Sequence, residues 1–181
     1  MANPKDYLDI ETIDKISQGK DKVLFFRLLK DAGKTEAKKL LFQKGHTFSY
    51  SRDLDTITTK DGRVIKDSGL ESEVSIEAIR AKADPINAML HYSVLAGETL
   101  EVWEVTVDPD LIKGNKAPAV YAQGRLSDWE DGANAEDESE VSTTLIIEYV
   151  PVFGELELPQ EFLELLSGQY KFRDLSKVEE I

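Results

Sequence analysis

Residues 51–79 read SRDLDTITTKDGRVIKDSGLESEVSIEAI, and the end of this stretch decides the fold. From Leu70 to Ile79 apolar and polar side chains alternate. Val74, Ile76 and Ala78 fall on one face, and Glu71, Glu73, Ser75 and Glu77 on the other. Alternation with period two predicts a half-buried β-strand, one face on a core and one in water. The wet face collects three carboxylates and no cation. Upstream, residues 52–69 are polar, Thr-rich and punctuated by Asp61-Gly62 and Ser68-Gly69. They fit either a long loop or an extended hairpin turning at Asp61-Gly62.

Working outward, KVLFFRLL (22–29) predicts a short apolar strand, and KKLLFQ (38–43) a second one after the turn KDAGKT. HTFSYS (46–51) alternates, with Phe48 and Tyr50 opposite Thr47, Ser49 and Ser51. ADPINAMLHYSVLAG (83–97) carries the signals of a helix. Asp84 stands at the N-cap, Pro85 at the first helical position, and Gly97 at the stop. Ile86, Met89, Leu90 and Val94 form its apolar stripe. Strands follow at TLEVWEVTV (99–107) and PAVYAQGRLSDWE (118–130). VSTTLIIEYVPVF (141–153) makes the latter an antiparallel hairpin with a charged tip, DGANAEDESE. A short helix is expected in QEFLELLSG (160–168). Strands dominate and one helix interrupts them. The fold class is therefore mainly β, an antiparallel β-sandwich or barrel with one flanking α-helix. The expected organisation is an N-terminal arm (1–20), a β domain (21–158) with its helix at 84–96, and a C-terminal arm (159–181).

The chain has 181 residues, 41% of them hydrophobic, a formal net charge of −13 and no cysteine. Disulfides, thiolate metal sites and cysteine nucleophiles are excluded. Between Asp128 and Glu140 there are seven acids and no base. Such a field opposes binding to phosphates, which needs lysine and arginine to displace counterions. No apolar run is long enough to span a bilayer as a helix, and the first residues lack the basic-then-apolar pattern of a secretory signal.

Chemistry is sparse. His46 and His91 stand without partners at metal-ligand spacing. The acidic tip lacks the ligand spacing of an EF-hand. Glu71, Glu73, Glu77, Glu101, Glu104 and Glu148 could in principle supply a glycosidase-type carboxylate pair, and spacing alone pairs none of them. No catalytic residue, cofactor or metal is expected. Trp103 reads as core, whereas Trp129 fits either a contact anchor or a residue packed beneath the loop.

The ordered set of segments resembles a known family. LLFQKGHTFSYSRDLDTITTKDGRVIKDSGLESEVSIEAI (40–79) is similar to a segment of the major tail proteins of long, non-contractile-tailed bacteriophages, including Thr59-Lys60-Asp61-Gly62. The helix at 84–96, the hairpin with Ala122-x-Gly124 and a last strand ending at Gly154 keep the family's order. The resemblance covers about residues 20–158. It implies a β-sandwich like the tube subunit of type VI secretion systems, with no enzymatic activity. It implies six-membered rings stacked into a tail tube, made in the host cytoplasm and working in the virion. The partners it implies are further copies of the chain, the tape-measure protein and other tail proteins, and double-stranded DNA in transit, with no membrane. Another tail protein of the same fold, a terminator or distal-tail ring, is the alternative, and a non-viral β-sandwich binding module a more distant one.

Two groups of site residues follow from the resemblance. Asp55, Thr56, Thr58, Thr59, Lys60, Asp61 and Arg63, in the polar stretch 53–68, are expected to contact the adjacent ring. Glu71, Glu73 and Glu77 are expected to face the lumen, where an anionic wall keeps DNA from adhering.

Overall fold

The alternating stretch is the inner half of a strand twice its length. In the computed structural model, which describes residues 18–80, 82–133, 138–159 and 162–163, β4 spans Gly62–Ile79. It pairs antiparallel with β3 (Gln43–Thr59), from Gln43 opposite Ala78 to Thr59 opposite Gly62. Of the two readings of 52–69, the hairpin is the one that forms. Lys60 and Asp61 make its turn, and Gly62 takes the positive φ of 137° that opens β4. The remaining strands are β1 (Lys22–Leu28), β2 (Lys38–Lys39), β5 (Leu100–Thr106), β6 (Lys116–Leu126), β7 (Glu130–Gly132), β8 (Glu140–Ile147) and β9 (Val152–Glu157), with α1 at Pro85–Ala96.

All pairings are antiparallel, in the order β2-β1-β5-β6-β8-β4-β3; β7 adds to β8 and β9 to β6. The sheet curls until its ends touch. Leu40 N–H donates to the Leu24 carbonyl (2.9 Å), and Leu24 N–H donates to Gln43 Oε1 (3.2 Å). His46 on β3 meets Glu104 on β5 at 2.8 Å. With its oxygen engaged by Leu24, the Gln43 amide turns its nitrogen to His46 Nδ1. His46 therefore keeps its proton on Nε2 and donates it to Glu104.

Inside the curl, Leu24, Phe26, Val74, Ile76, Val102 and Leu145 are almost wholly buried. Helix α1 covers them with Ile86 and Leu90, and Met89 and Val94 pack alongside as the stripe predicts. Its caps are those read from the sequence. Asp84 Oδ1 accepts from Ile86 N–H (2.9 Å), and Gly97 closes the helix at φ 66°. A second apolar cluster lies on the other face of β1 and β5. Val23, Val105, Val107 and Ala117 are buried there, with Phe25, Trp103 and Phe162 against them. Trp129 packs against the main core and stacks on His91 at 5.2 Å, which selects the packed reading over the anchor.

Three expectations are corrected. KKLLFQ does not form one strand. Only Lys38–Lys39 pair with β1, because Leu40 turns into the core and the chain reverses at Leu41-Phe42. VSTTLIIEYVPVF is two strands, since the segment 148–151 steps out between β8 and β9 along one edge of β6. Gly154 does not end the last strand, because β9 continues to Glu157 by pairing with Lys116. Of the helix expected in 160–168, only Phe162 and Leu163 are described, and they are helical. Most of both expected arms, residues 1–17 and 164–181, lies outside the described residues.

Gly124 marks the tightest crossing, between Leu100 of β5 and Ile147 of β8. A Cβ there would collide with the Ile146 carbonyl. Gly124→Ala is expected to cost about 1–3 kcal/mol by overpacking and to lower Tm by about 2–4 °C per kcal/mol. Unchanged melting would show that the two strands can part without loss.

Glu104 supplies a pH signature. Burial pushes its carboxyl up, but hydrogen bonds from His46 and Lys22 outweigh burial and hold it below the ordinary 4.5. A depressed carboxylate pKa contributes stability that is complete above the unfolded value and is lost as pH falls through the folded one. Acid titration of Tm should therefore show a limb below pH 4.5 that is shallower in Glu104→Gln. Equal limbs would exclude Glu104 as its source.

Candidate assembly surfaces

The β3–β4 hairpin leaves the body of the protein as an arm. β8 covers the β4 edge only over Glu73–Ile79, and every residue from Ser51 to Gly69 is exposed. From Ser51 to the turn, at about 3.3 Å per residue, the arm reaches roughly 30 Å. Asp55, Thr56, Thr58, Thr59, Lys60, Asp61 and Arg63 all lie on it, grouped around its tip. The tip is braced locally: Thr59 Oγ1 donates to the Gly62 carbonyl (2.8 Å) and accepts from Asp61 N–H (3.3 Å).

The root of the arm is built with equal care. A bulge interrupts the ladder between Arg52 and Leu54, and Gly69 sits opposite with φ 115°. Asp67 spans the irregularity, accepting from Gly69 N–H (2.8 Å) and pairing with Arg52. The Gly69 N–H, aided by Arg52, holds the Asp67 carboxyl below its ordinary range. A bulge bends the strand that carries it and sharpens its twist, so the root aims the arm. Sequence reading missed this bracket. It also passed over Leu54, Ile57, Val64 and Ile65, which are 54%, 50%, 54% and 67% exposed on the arm. Their signal was present: four large apolar side chains in an otherwise polar stretch.

The second surface is the wet side of β3, β4 and β8. Register sets Gly45, Glu77 and Ser142 in one row, Thr47, Ser75 and Thr144 in the next, and Ser49, Glu73 and Ile146 in a third. Ser51 and Glu71 form the last row, at the root of the arm. Glu71, Glu73 and Glu77 thus share a face paved with hydroxyls. Ser142 and Thr144 extend it, and Ile146, 46% exposed, is its apolar interruption. Among the described residues two cations flank it: Lys44 pairs with Glu140 (2.6 Å), and Arg125, opposite Ile146 in the third row, pairs with Glu148 (3.1 Å).

Neither surface has the makings of a catalytic centre. Glu101 and Glu104 are buried but point to opposite faces of β5. Each is neutralised separately. Glu101 accepts from Arg27 Nε (2.7 Å) and the Tyr121 hydroxyl (2.7 Å), while Glu104 takes Lys22 (2.7 Å) and His46. The hydrogen bond to Glu101 in turn raises the Arg27 pKa. Among the described residues no group of three or more His, Asp or Glu side chains is placed to hold a metal ion. No described helix is long and apolar enough to cross a membrane.

Known proteins match this architecture. The family model described as phage tail tube protein matches residues 16–153. The subunit of the SPP1 tail tube, solved by solid-state NMR and cryo-electron microscopy, superposes with a TM-score of 0.68 at 16% identity, covering 90% of this chain and 94% of that one. A gene transfer agent tail refined with C6 symmetry gives 0.60 at 13% identity over 77% and 99% of the two chains. A chain of the anti-feeding prophage baseplate gives 0.56 at 10% identity over 80% and 98%. No curated protein sequence matches. These structures share the fold, and the family model covers most of the sequence. The chain belongs to the phage tail tube protein family, structural proteins of the virion tail.

Proposed function

We propose that the chain forms six-membered rings that stack into the tail tube, with the β3–β4 arm reaching the adjacent ring and the Glu71/Glu73/Glu77 face lining the lumen. The observation that carries this reading is the arm. A two-stranded hairpin alone in water is at best marginally stable, because it has no face to bury. This one exposes four large apolar side chains and still keeps a braced tip and a pinned root. Such a structure fits a partner surface beyond the subunit's own body. Head-to-tail contact between rings is heterologous, so it does not close and propagates into a tube. The six-fold arrangement follows the gene transfer agent tail of the same fold.

The wall reading rests on charge. Duplex DNA carries one negative charge per ~1.7 Å of axis and adheres to clustered lysines. A hydroxyl-paved face with Glu71, Glu73 and Glu77 offers it carboxylates, and the flanking Lys44 and Arg125 are held by Glu140 and Glu148. The repulsion acts within a Debye length of about 8 Å, enough to keep DNA off the wall without opposing its passage along the axis.

The arm is tested by shortening it. Asp55 and Lys66 are cross-strand partners, so replacing residues 56–65 by Asn-Gly closes the hairpin four pairs further in. The variant should fold, with a circular dichroism spectrum and melting like the parent, yet form no tubes in negative-stain micrographs. Normal tubes would remove the arm from the inter-ring contact.

The wall is tested by reversing its sign. With Glu71→Lys, Glu73→Lys and Glu77→Lys together, tubes should still form, since solvated strand faces tolerate substitution within about 0.5 kcal/mol per site. Virions carrying the change should release DNA slowly at low ionic strength and recover as salt screens the attraction. Parental release rates at low salt would place these glutamates outside the channel.

A further inference from the structure

One cleft in this acidic molecule is basic. It opens where β1, β3 and β5 meet and is lined by Lys20, Lys22, Lys39 and Lys44 against a single carboxylate, Glu104. In the whole chain acids outnumber lysines and arginines, 35 to 22, so the local balance is inverted. Glu104 is already spent on Lys22 and His46, and Lys44 reaches out to Glu140. Lys39 lies over the Phe162 ring at 5.5 Å, and Lys20 has no ion-pair partner among the described residues. The floor is apolar, with Val23, Leu40 and Phe48. At the lip, Phe42 holds a left-handed backbone (φ 49°) with its ring 65% exposed. That conformation strains a bulky residue, and here it presents an aromatic ring to the opening.

The cleft's chemistry asks for a segment that is acidic and apolar in alternation. We propose that its occupant is the chain's own segment 6–14, DYLDIETID. It carries Asp6, Asp9, Glu11 and Asp14 without a base, interleaved with Tyr7, Leu8, Ile10 and Ile13. Connectivity favours it as strongly as charge. Gly19 and Lys20 are themselves part of the cleft wall, so the segment is tethered at the site by residues 15–18. That linker spans up to about 14 Å when extended, room for a reversal. A short tether raises the local concentration of the segment to the millimolar range. The other acidic stretches of the chain fit less well. The tail 170–181 mixes Lys171, Arg173 and Lys177 with its acids, and the base of the acidic tip is already fastened by Arg80–Asp131 and Lys44–Glu140. The inference concerns the single subunit and stands apart from the ring reading.

The absence of cysteine makes the test direct. In the full-length chain, Ile10→Cys is combined with Phe42→Cys at the cleft lip, or with Asp61→Cys at the arm tip as control, and treated with a short bismaleimide. The expected product is an intramolecular crosslink to position 42, several-fold above the control. It should decline in high salt and with Lys20→Glu and Lys39→Glu. Crosslinked dimers would assign the cleft to the segment of a second copy and overturn the proposal, as would yields no higher than the control. Tube formation, followed separately by microscopy, reports on the rings alone, so either reading can fail without the other.

Discussion

Two antiparallel strands in water satisfy only the hydrogen bonds between them, and their side chains have nothing to pack against. That constraint organises this molecule, because β4 obeys two regimes along one strand. From Ser72 to Ala78 every second residue is buried under the helix and the opposite strands. From Gly62 to Gly69 none is. The change occurs where β8 stops pairing and the ladder bulges at Arg52 and Leu54. The core therefore anchors one end of the hairpin, and the bracketed root stiffens the other. On the proposed reading, the body folds alone and the projection is completed by the next copy.

The body closes through polar contacts at the seam. His46 and Glu104 join strands distant in the sheet, Lys22 of the neighbouring β1 holds the same carboxylate, and Gln43 fixes the imidazole by spending its own oxygen on Leu24. Buried ion pairs contribute little net stability, since desolvation offsets the attraction. Their value lies in what they forbid. Shifting β3 by one residue against β4 would bring Thr47 to the place of His46 and send Phe48 to the wet face. Glu104 would then be buried beside Lys22 alone. The seam fixes the register on which the row of glutamates depends.

Much of this was legible in the sequence, for physical reasons that differ by element. Helix α1 announced both ends because caps are local chemistry: Asp84, Pro85 and Gly97 act within a few residues. The faces of β4 followed from strict alternation. The two strands within 141–153 were not separable, because the segment 148–151 leaves the ladder for a tertiary reason, the handover from β8 to β9 on one β6 edge. Nor was the Leu40 turn, since Leu-Leu-Phe reads as strand until the core claims Leu40 and ejects Phe42. For the arm, composition identified the residues but not their pairing. The register emerges only with the Asp67 bracket, which joins positions that no periodicity links.

Charge completes the picture. At −13 per chain, copies repel one another in solution, which favours solubility and opposes spontaneous assembly. Whatever binds copies together must overcome that repulsion at contacts where the charge is absent. Tyr149, Val150, Val152 and Phe153 form such a place: they follow one another at the β8–β9 step, 74%, 60%, 61% and 66% exposed. Like the arm, they are apolar surface that the monomer leaves uncovered, and an apolar patch of this kind is more often a contact than an accident. Carboxylates cluster, by contrast, on the β3–β4–β8 face, at Glu71, Glu73 and Glu77, and on the 128–140 tip, which has seven acids and no base. On the proposed reading, separating these clusters from the apolar patches would let an anionic chain bind further copies, its acidic faces turned toward solvent or an aqueous bore and its apolar ones toward other copies.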